Sequence, residues 1–490
     1  MDVSNFIKEI TSVINKSQDG TKTPTELLLS DFVKELTSVI NKTQNDTVPS
    51  TENVQQIPET NTVEKSINKS QDSKITPVEI EQKTIKILIV STHINQANGY
   101  SKVINNIINQ LALNNWIKIV HFATQRITNG DIGRKYPSNV KVIDGTALEK
   151  QKASGFAFSE LPSIIITEKP DVVFIYNDIS VICGYIEEIR KVIQNRFFKI
   201  WAYIDMVYES QPQGMIDIIN RDIERVFCFT KFWKDQIKSQ GLTRPVDVMN
   251  HAVNNKIFKH IPRDLARQSL GLPKDVFMFT SLNRNIPRKR LDILIMSFVK
   301  LIVQFPMRPV FLLIVADKGD TGGYQLFDIF ARELKLANVN TEMFGNRLLI
   351  TSSNTCYKDE DINLLYNSGD VGVSCAEGEG FGLCTFEQMS MGIPQIVPNI
   401  NGYKEYCNEN NSIMVEPKFR YYIPQAYSAV TGEAKAVDII DMTKAMETYM
   451  FDEDLRKLHG KRSREKIGEY SWEKSCSILI RRLKTVQDDD

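Results

Sequence analysis

Glu379 and Glu387 stand eight residues apart around a glycine-rich turn in the stretch CAEGEGFGLCTFEQMSMGIP, Cys375 to Pro394. DVGVSC has the apolar run of a strand, AEGEG reads as a loop, and FGLCTFEQMSMG places Leu383, Phe386 and Met389 or Met391 at helical spacing before Gly392-Ile393-Pro394 ends the pattern. The N–H groups that open a helix lack partners within it and the dipole is positive there, so the turn is a ready phosphate site. A carboxylate beside a phosphate repels it unless it holds something else. Carboxylates only accept hydrogen bonds and sugar hydroxyls can donate them, so the two glutamates suit the sugar parts of a phosphorylated ligand. The plainer reading of either is a solvated surface charge. GEGFG also mimics a dinucleotide fingerprint, but Leu383 occupies the last glycine position and the loop after the first strand lacks G-x-G-x-x-G.

Such a turn needs a sheet behind it. From Lys86 onward KILIVST, IKIVHFA, DVVFIYN, FKIWAYI and RVFCFT alternate with helix-length segments such as 99–113 and 179–194. After a link near 251–275 the alternation resumes with FMFTSLN, PVFLLIVA, RLLITSS and DVGVSC. Continuous apolar runs mark strands buried on both faces, hence parallel α/β sheets. The expected fold class is α/β, with two doubly wound Rossmann-like domains facing a cleft. Their boundaries are 85–255 and 256–437, followed by helices over 438–490. Ligands of open α/β sheets bind at the carboxyl ends of the strands, so the cleft is the expected site.

The whole chain narrows the function. Its 490 residues carry 60 basic and 60 acidic side chains, which gives no global attraction to nucleic acid or anionic lipid. The seven cysteines are scattered without a C-x-x-C pair, as in a reducing compartment, and MDVSNFIKEI lacks the basic and apolar regions of a signal peptide. No stretch has the length and apolarity of a membrane span, so a soluble, cytoplasmic protein is expected. The acidic triplets at Asp359 and Asp452 open helical patterns, where negative charge favours the dipole, and no metal-ligand pattern or Ser-His elbow is present. No metal is expected. Residues 1–84 lack Trp and Tyr and repeat FIKEITSVINKSQD as FVKELTSVINKTQN, with Phe6, Ile10, Val13 and Ile14 matched by Phe32, Leu36, Val39 and Ile40 on one helical face. This extension reads as helical or disordered, with self-association as one use.

The glutamate pair in EGFGLCTFEQMSMGIPQIVPNINGYKEY resembles the E-x7-E element of glycosyltransferase family 4, and the resemblance extends over roughly 86–485. It implies a GT-B fold and retaining transfer from a nucleotide-diphosphate sugar, without a separate cofactor, to a hydroxyl on a glycan, glycoprotein or lipid. Glu379 is then expected to hold the donor sugar and Glu387 the ribose, with Gly380, Phe381, Gly382 and Leu383 forming the loop and helix start. In SLNRNIPRKRLDILIMSF, Arg284 and Lys289 stand where the family places cations on the diphosphate, whose departure needs positive charge. Arg288 and Arg290 are additional. Cations at a helix start oppose the dipole, which favours a functional use of this basic run. Gly99 and Ser101, in STHINQANGYSKVINNI, match the family's first-domain glycine loop. Ile204 replaces a His common among relatives, leaving Asp205 as the strand-end carboxylate expected at the sugar; His251 is expected to be structural. The abundance of Asn, Ile and Lys fits an AT-rich genome such as that of a large DNA virus. Two rivals share these features: a GT-B epimerase of nucleotide sugars, which needs no acceptor, and a non-catalytic sugar-binding or scaffold protein.

Overall fold

The computed structural model describes residues 83–126, 130–150, 155–316, 323–351, 357–424 and 430–486. The amphipathic repeats of the N-terminal extension lie outside them. Residues 80–490 form one compact unit.

The apolar runs become strands because each supplies two cores. In β1, Ile85–Thr92, the side chains of Ile85, Ile87 and Ile89 enter one core, while Leu88 and Val90 enter the other. β1 pairs in parallel with β2, Ile117–Thr124, and with β4, Val172–Asp178. With β3, Val140–Asp144, β5, Lys199–Asp205, β6, Arg225–Cys228, and β7, Val246–Val248, the first sheet has the order β3-β2-β1-β4-β5-β6-β7. The helix after β1, α1 at Gly99–Leu111, is capped by the Asn98 side chain, which accepts from the Ser101 N–H; its buried face is Ser101, Val103, Ile104, Ile107, Ile108 and Leu111. On the other face of the sheet packs α2, Ile179–Val192.

The second sheet repeats the scheme with β8, Phe277–Leu282, β9, Val310–Val315, β10, Leu348–Ile350, β11, Val371–Val373, β12, Gln395–Pro398, and β13, Ser412–Val415, in the order β10-β9-β8-β11-β12-β13. Its helices include α3, Leu291–Gln304, α4, Asp359–Asn367, and α5, Leu383–Ser390. An antiparallel hairpin of β14, Phe419–Ile423, and β15, Gly432–Ala436, stands apart from both sheets. The chain ends in α6, Ile439–Phe451, α7, Glu453–Ile467, and α8, Trp472–Val486. The first of these joins the second-sheet core with α3, but α8 crosses back onto α1 and shares its core through Cys476, Leu479 and Leu483. Arg482 fixes that return with two bonds to Asp247, at 2.9 and 2.8 Å. Among the described residues no helix is long and apolar enough to cross a membrane.

Leu479→Ala should therefore cost about 2–5 kcal/mol, read as a lower midpoint in denaturant unfolding, because a fully buried leucine leaves a cavity. Leu113→Ala, at a site 78% exposed, should change stability by no more than about 0.5 kcal/mol.

Candidate active site

The carboxyl ends of the two sheets line one cleft of about 460 Å³. Its walls hold Gly99, Tyr100, Lys102 and Asp205 from the first half and Arg284, Arg288, Lys289 and Glu379–Thr385 from the second. Glu379 occupies the loop between β11 and α5. Lys289 pairs with its Oε1, and Arg288 Nη1 lies 3.3 Å from Oε2. Burial pushes the Glu379 carboxyl up, but the two cations outweigh it and hold it below its usual value. Lys289 is lowered by burial; Glu379 opposes that shift while Arg288 adds to it. One anion facing two cations is the better-satisfied partner. Arg284 lines the cleft beside this pair.

Two glycines allow this packing. Gly382, the residue before α5, has φ +83°, and a Cβ there would come 2.4 Å from Tyr403 Cε1. A Cβ on Gly380 would meet Asp205 Oδ1 at 2.0 Å, so the loop touches the end of β5 directly. Among the described residues no side chain caps α5, and its first residues, Leu383, Cys384 and Thr385, line the cleft. The carbonyl of Gly380 accepts from Trp233 Nε1 of the first half at 2.7 Å.

Glu387 lies one layer deeper than expected. Its side chain does not line the cleft; both of its oxygens accept from Lys102 Nζ at 2.8 Å, and Oε2 also accepts from Tyr366 Oη at 2.9 Å. Ser101 is likewise behind the wall. Its hydroxyl donates to the Asn98 carbonyl and accepts from Arg134 Nη1 at 2.7 Å, so it braces a turn behind the cleft lining. Asp359, expected only as a charge at a helix start, lines the cleft and takes a two-pronged bond from Arg134 at 2.9 and 2.8 Å. Arg288, additional in the sequence, belongs to the Glu379 set; Arg290 turns away to Asp292 and Glu377. His251 packs with tilted rings between Phe229 and Phe381, and burial lowers it to about 3, so it stays a neutral packing group.

Asp205 Oδ2 accepts from Tyr100 Oη at 2.7 Å, and its Oδ1 is buried with no hydrogen-bond partner among the described residues. Asp178 is its neighbour in register on β4. Burial and then Asp178 push the Asp205 carboxyl up to about 7, against Tyr100 and Arg288; burial raises Asp178 as well.

Two parallel sheets meeting over a cleft, with a cation-bound glutamate before a helix start, define the GT-B architecture. Residues 262–421 match the Glycosyl transferases group 1 family. Over 160 residues the sequence is 29% identical to the D-inositol 3-phosphate glycosyltransferase of Thermobispora bispora, a match covering 32% of this chain and 36% of that protein. The chain thus spans little more than a third of that curated relative. Sucrose-phosphate synthase from Thermosynechococcus elongatus superposes with a TM-score of 0.62 over 83% of this chain and 100% of its own, at 14% identity. Anabaena HepE in complex with UDP and glucose does so at 0.58 over 82% and 100%, at 13% identity. The second half of the molecule carries a Glycosyl transferases group 1 domain.

A carboxyl whose folded pKa exceeds its unfolded value stabilises the fold fully below the unfolded value and loses that contribution as pH rises through the folded one. Asp205→Asn, which cannot ionise, should therefore gain stability relative to the native chain as pH rises from about 4 to about 7. Denaturant midpoints across that range read the difference; a constant gap would mean that Asp205 is already ionised in the fold.

Proposed function

We propose that this chain is a retaining glycosyltransferase that moves a sugar from a nucleotide-diphosphate sugar to a hydroxyl on a glycan, glycoprotein or lipid. The observation that carries the proposal is Glu379, buried, paired with Lys289 and Arg288, and one loop away from the uncapped start of α5. Similarity to a named glycosyltransferase over 160 residues and a fold shared with a protein bound to UDP and glucose support it. On this reading the diphosphate lies against Arg284, Arg288, Lys289 and the N–H groups from Gly382 onward. These groups gain contact as negative charge develops on the leaving diphosphate. Glu379, relieved of part of its pairing, accepts from donor-sugar hydroxyls. The acceptor oxygen forms its bond to the anomeric carbon on the face that the diphosphate leaves, and the hydroxyl proton passes to the departing phosphate oxygen. Asp205, opposite Gly380, adjoins the sugar, and Glu387 takes the ribose. Gly99 stands on the opposite wall, where donor and acceptor meet.

The cations stand in place of a metal, so turnover is expected to need none; loss of activity in chelator that manganese or magnesium restores would sink this part. Among variants, Glu379→Gln should mainly lower kcat, because an amide keeps the shape but weakens a contact to the changing sugar ring. Glu387→Gln should mainly weaken donor and nucleoside diphosphate binding, by about 1–3 kcal/mol, since the ribose is held alike before and during bond breaking. Steady-state kinetics over a panel of UDP- and GDP-hexoses, with nucleoside diphosphate titrations, separate the two; equal effects in both variants would show that the pair only supports the fold.

A further inference from the structure

Lys102 is the one charged residue of α1, and its ammonium reaches into the other half of the molecule. Besides its two 2.8 Å bonds to Glu387, it lies 3.9 Å from Asp359 and 4.4 Å from the centre of the Phe258 ring. A carboxylate offers about four acceptor directions, and Lys102 with Tyr366 takes three of those on Glu387. Glu387 is 1% exposed and absent from the cleft wall, whereas Lys102 and Tyr366 are in it. Lys102 and Tyr366 thus stand between the cleft and the carboxylate.

We propose that Lys102 is a specificity-determining residue of the donor site: it guards Glu387, and ribose hydroxyls gain that carboxylate only by displacing the ammonium. This rests on the reading of Glu387 as the ribose acceptor. The exchange lowers the net gain from each hydroxyl, because one charge-assisted contact is broken as another forms. It also ties nucleotide recognition to the seam between the halves, since the guard comes from one and its carboxylate from the other. The groups facing Glu387 are Lys102 from α1, Asp359 and Tyr366 from α4, and Cys384 beside it on α5. Burial already raises the Glu387 carboxyl, against Lys102, with Asp359 adding to the rise. Removing Lys102 therefore frees the carboxylate at high pH and leaves it protonated at low pH.

Uridine diphosphate and 2′,3′-dideoxyuridine diphosphate share base and diphosphate and differ only in the ribose hydroxyls, so the ratio of their dissociation constants isolates the hydroxyl contacts. The test is calorimetric titration of both into the full chain and its variants from about pH 6 to about pH 9, with the guanosine pair where the uridine pair does not bind. At the high end Lys102→Met should prefer the hydroxylated nucleotide by at least about tenfold more than the native chain. As pH falls the preference should drop toward that of Glu387→Gln, and Lys102→Arg should follow the native chain throughout. A preference in Lys102→Met at or below the native value at every pH overturns the guard. If Glu387→Gln keeps the native ratio, the ribose reading itself fails. Should Lys102→Met lose dideoxy binding, Lys102→Gln carries the same test, and loss in both makes Lys102 a direct nucleotide contact and overturns the proposal.

Discussion

A carboxylate taken out of water must be paired, and Glu379 is where this rule organises the molecule. The penalty for burying one unpaired is several kcal/mol, more than a fold of marginal stability can carry at one site. Its two cations come from the loop after β8, so that loop has to lie against the loop after β11. Backbone contacts between the loops reinforce the arrangement: the Glu377 N–H donates to the Arg288 carbonyl at 3.1 Å, and Arg288 donates to the Gly378 carbonyl at 2.5 Å. The floor of the cleft is thus fixed by the pairing of one charge, and the start of α5 is held beside that charge.

The first half closes over this floor along two flanks. On one, Arg134 and Lys102 meet Asp359 and Glu387. On the other, the loop after β5 meets the β14–β15 hairpin and the loop after β11: Glu433 N–H donates to the Glu209 carbonyl at 2.7 Å, Lys435 bonds Glu209 at 2.6 Å, and Tyr208 Oη donates to Glu377 of the β11 loop at 3.0 Å. Exposed pairs such as Lys231 with Asp235 are screened by water and do not decide the geometry. The seam pairs are largely buried, so breaking one strands a charge. The return of α8 onto α1 adds buried apolar area to a core that both halves share.

Much of this was legible in the residues because the signals were local. Runs such as KILIVST are apolar at every position, and a strand between two cores is what makes them so. The glycine turn and α5 follow from a stretch of twenty residues. What escaped was carried by distance. Lys102 and Glu387 are 285 positions apart and Arg134 and Asp359 are 225 apart, so no spacing rule connects them. The lone lysine in GYSKVINNIINQL was the available signal, an isolated charge in an otherwise uncharged helix. Short or half-exposed strands also gave weak patterns: β7 has three residues, and β14 is exposed or intermediate throughout. Asp359 has the spacing of a helix start whatever else it does, so its contact with Arg134 could not be read from its own neighbourhood.

The arrangement of charge explains why a whole nucleotide sugar suits this cleft better than a bare anion, on the proposed reading. Lys289 and Arg288 are already satisfied by Glu379, and Lys102 by Glu387. A phosphate alone would draw the cations toward itself and leave a buried glutamate short of partners, returning much of what it gained. A ligand that brings hydroxyl donors a few ångströms from its phosphates repairs that loss in the same step. Neutral hydroxyls do so without adding charge to a site where Asp205 and Asp178 already resist ionisation. On that reading, the pairing that holds the floor of the cleft together is also what would select the joined sugar and diphosphate over either part alone.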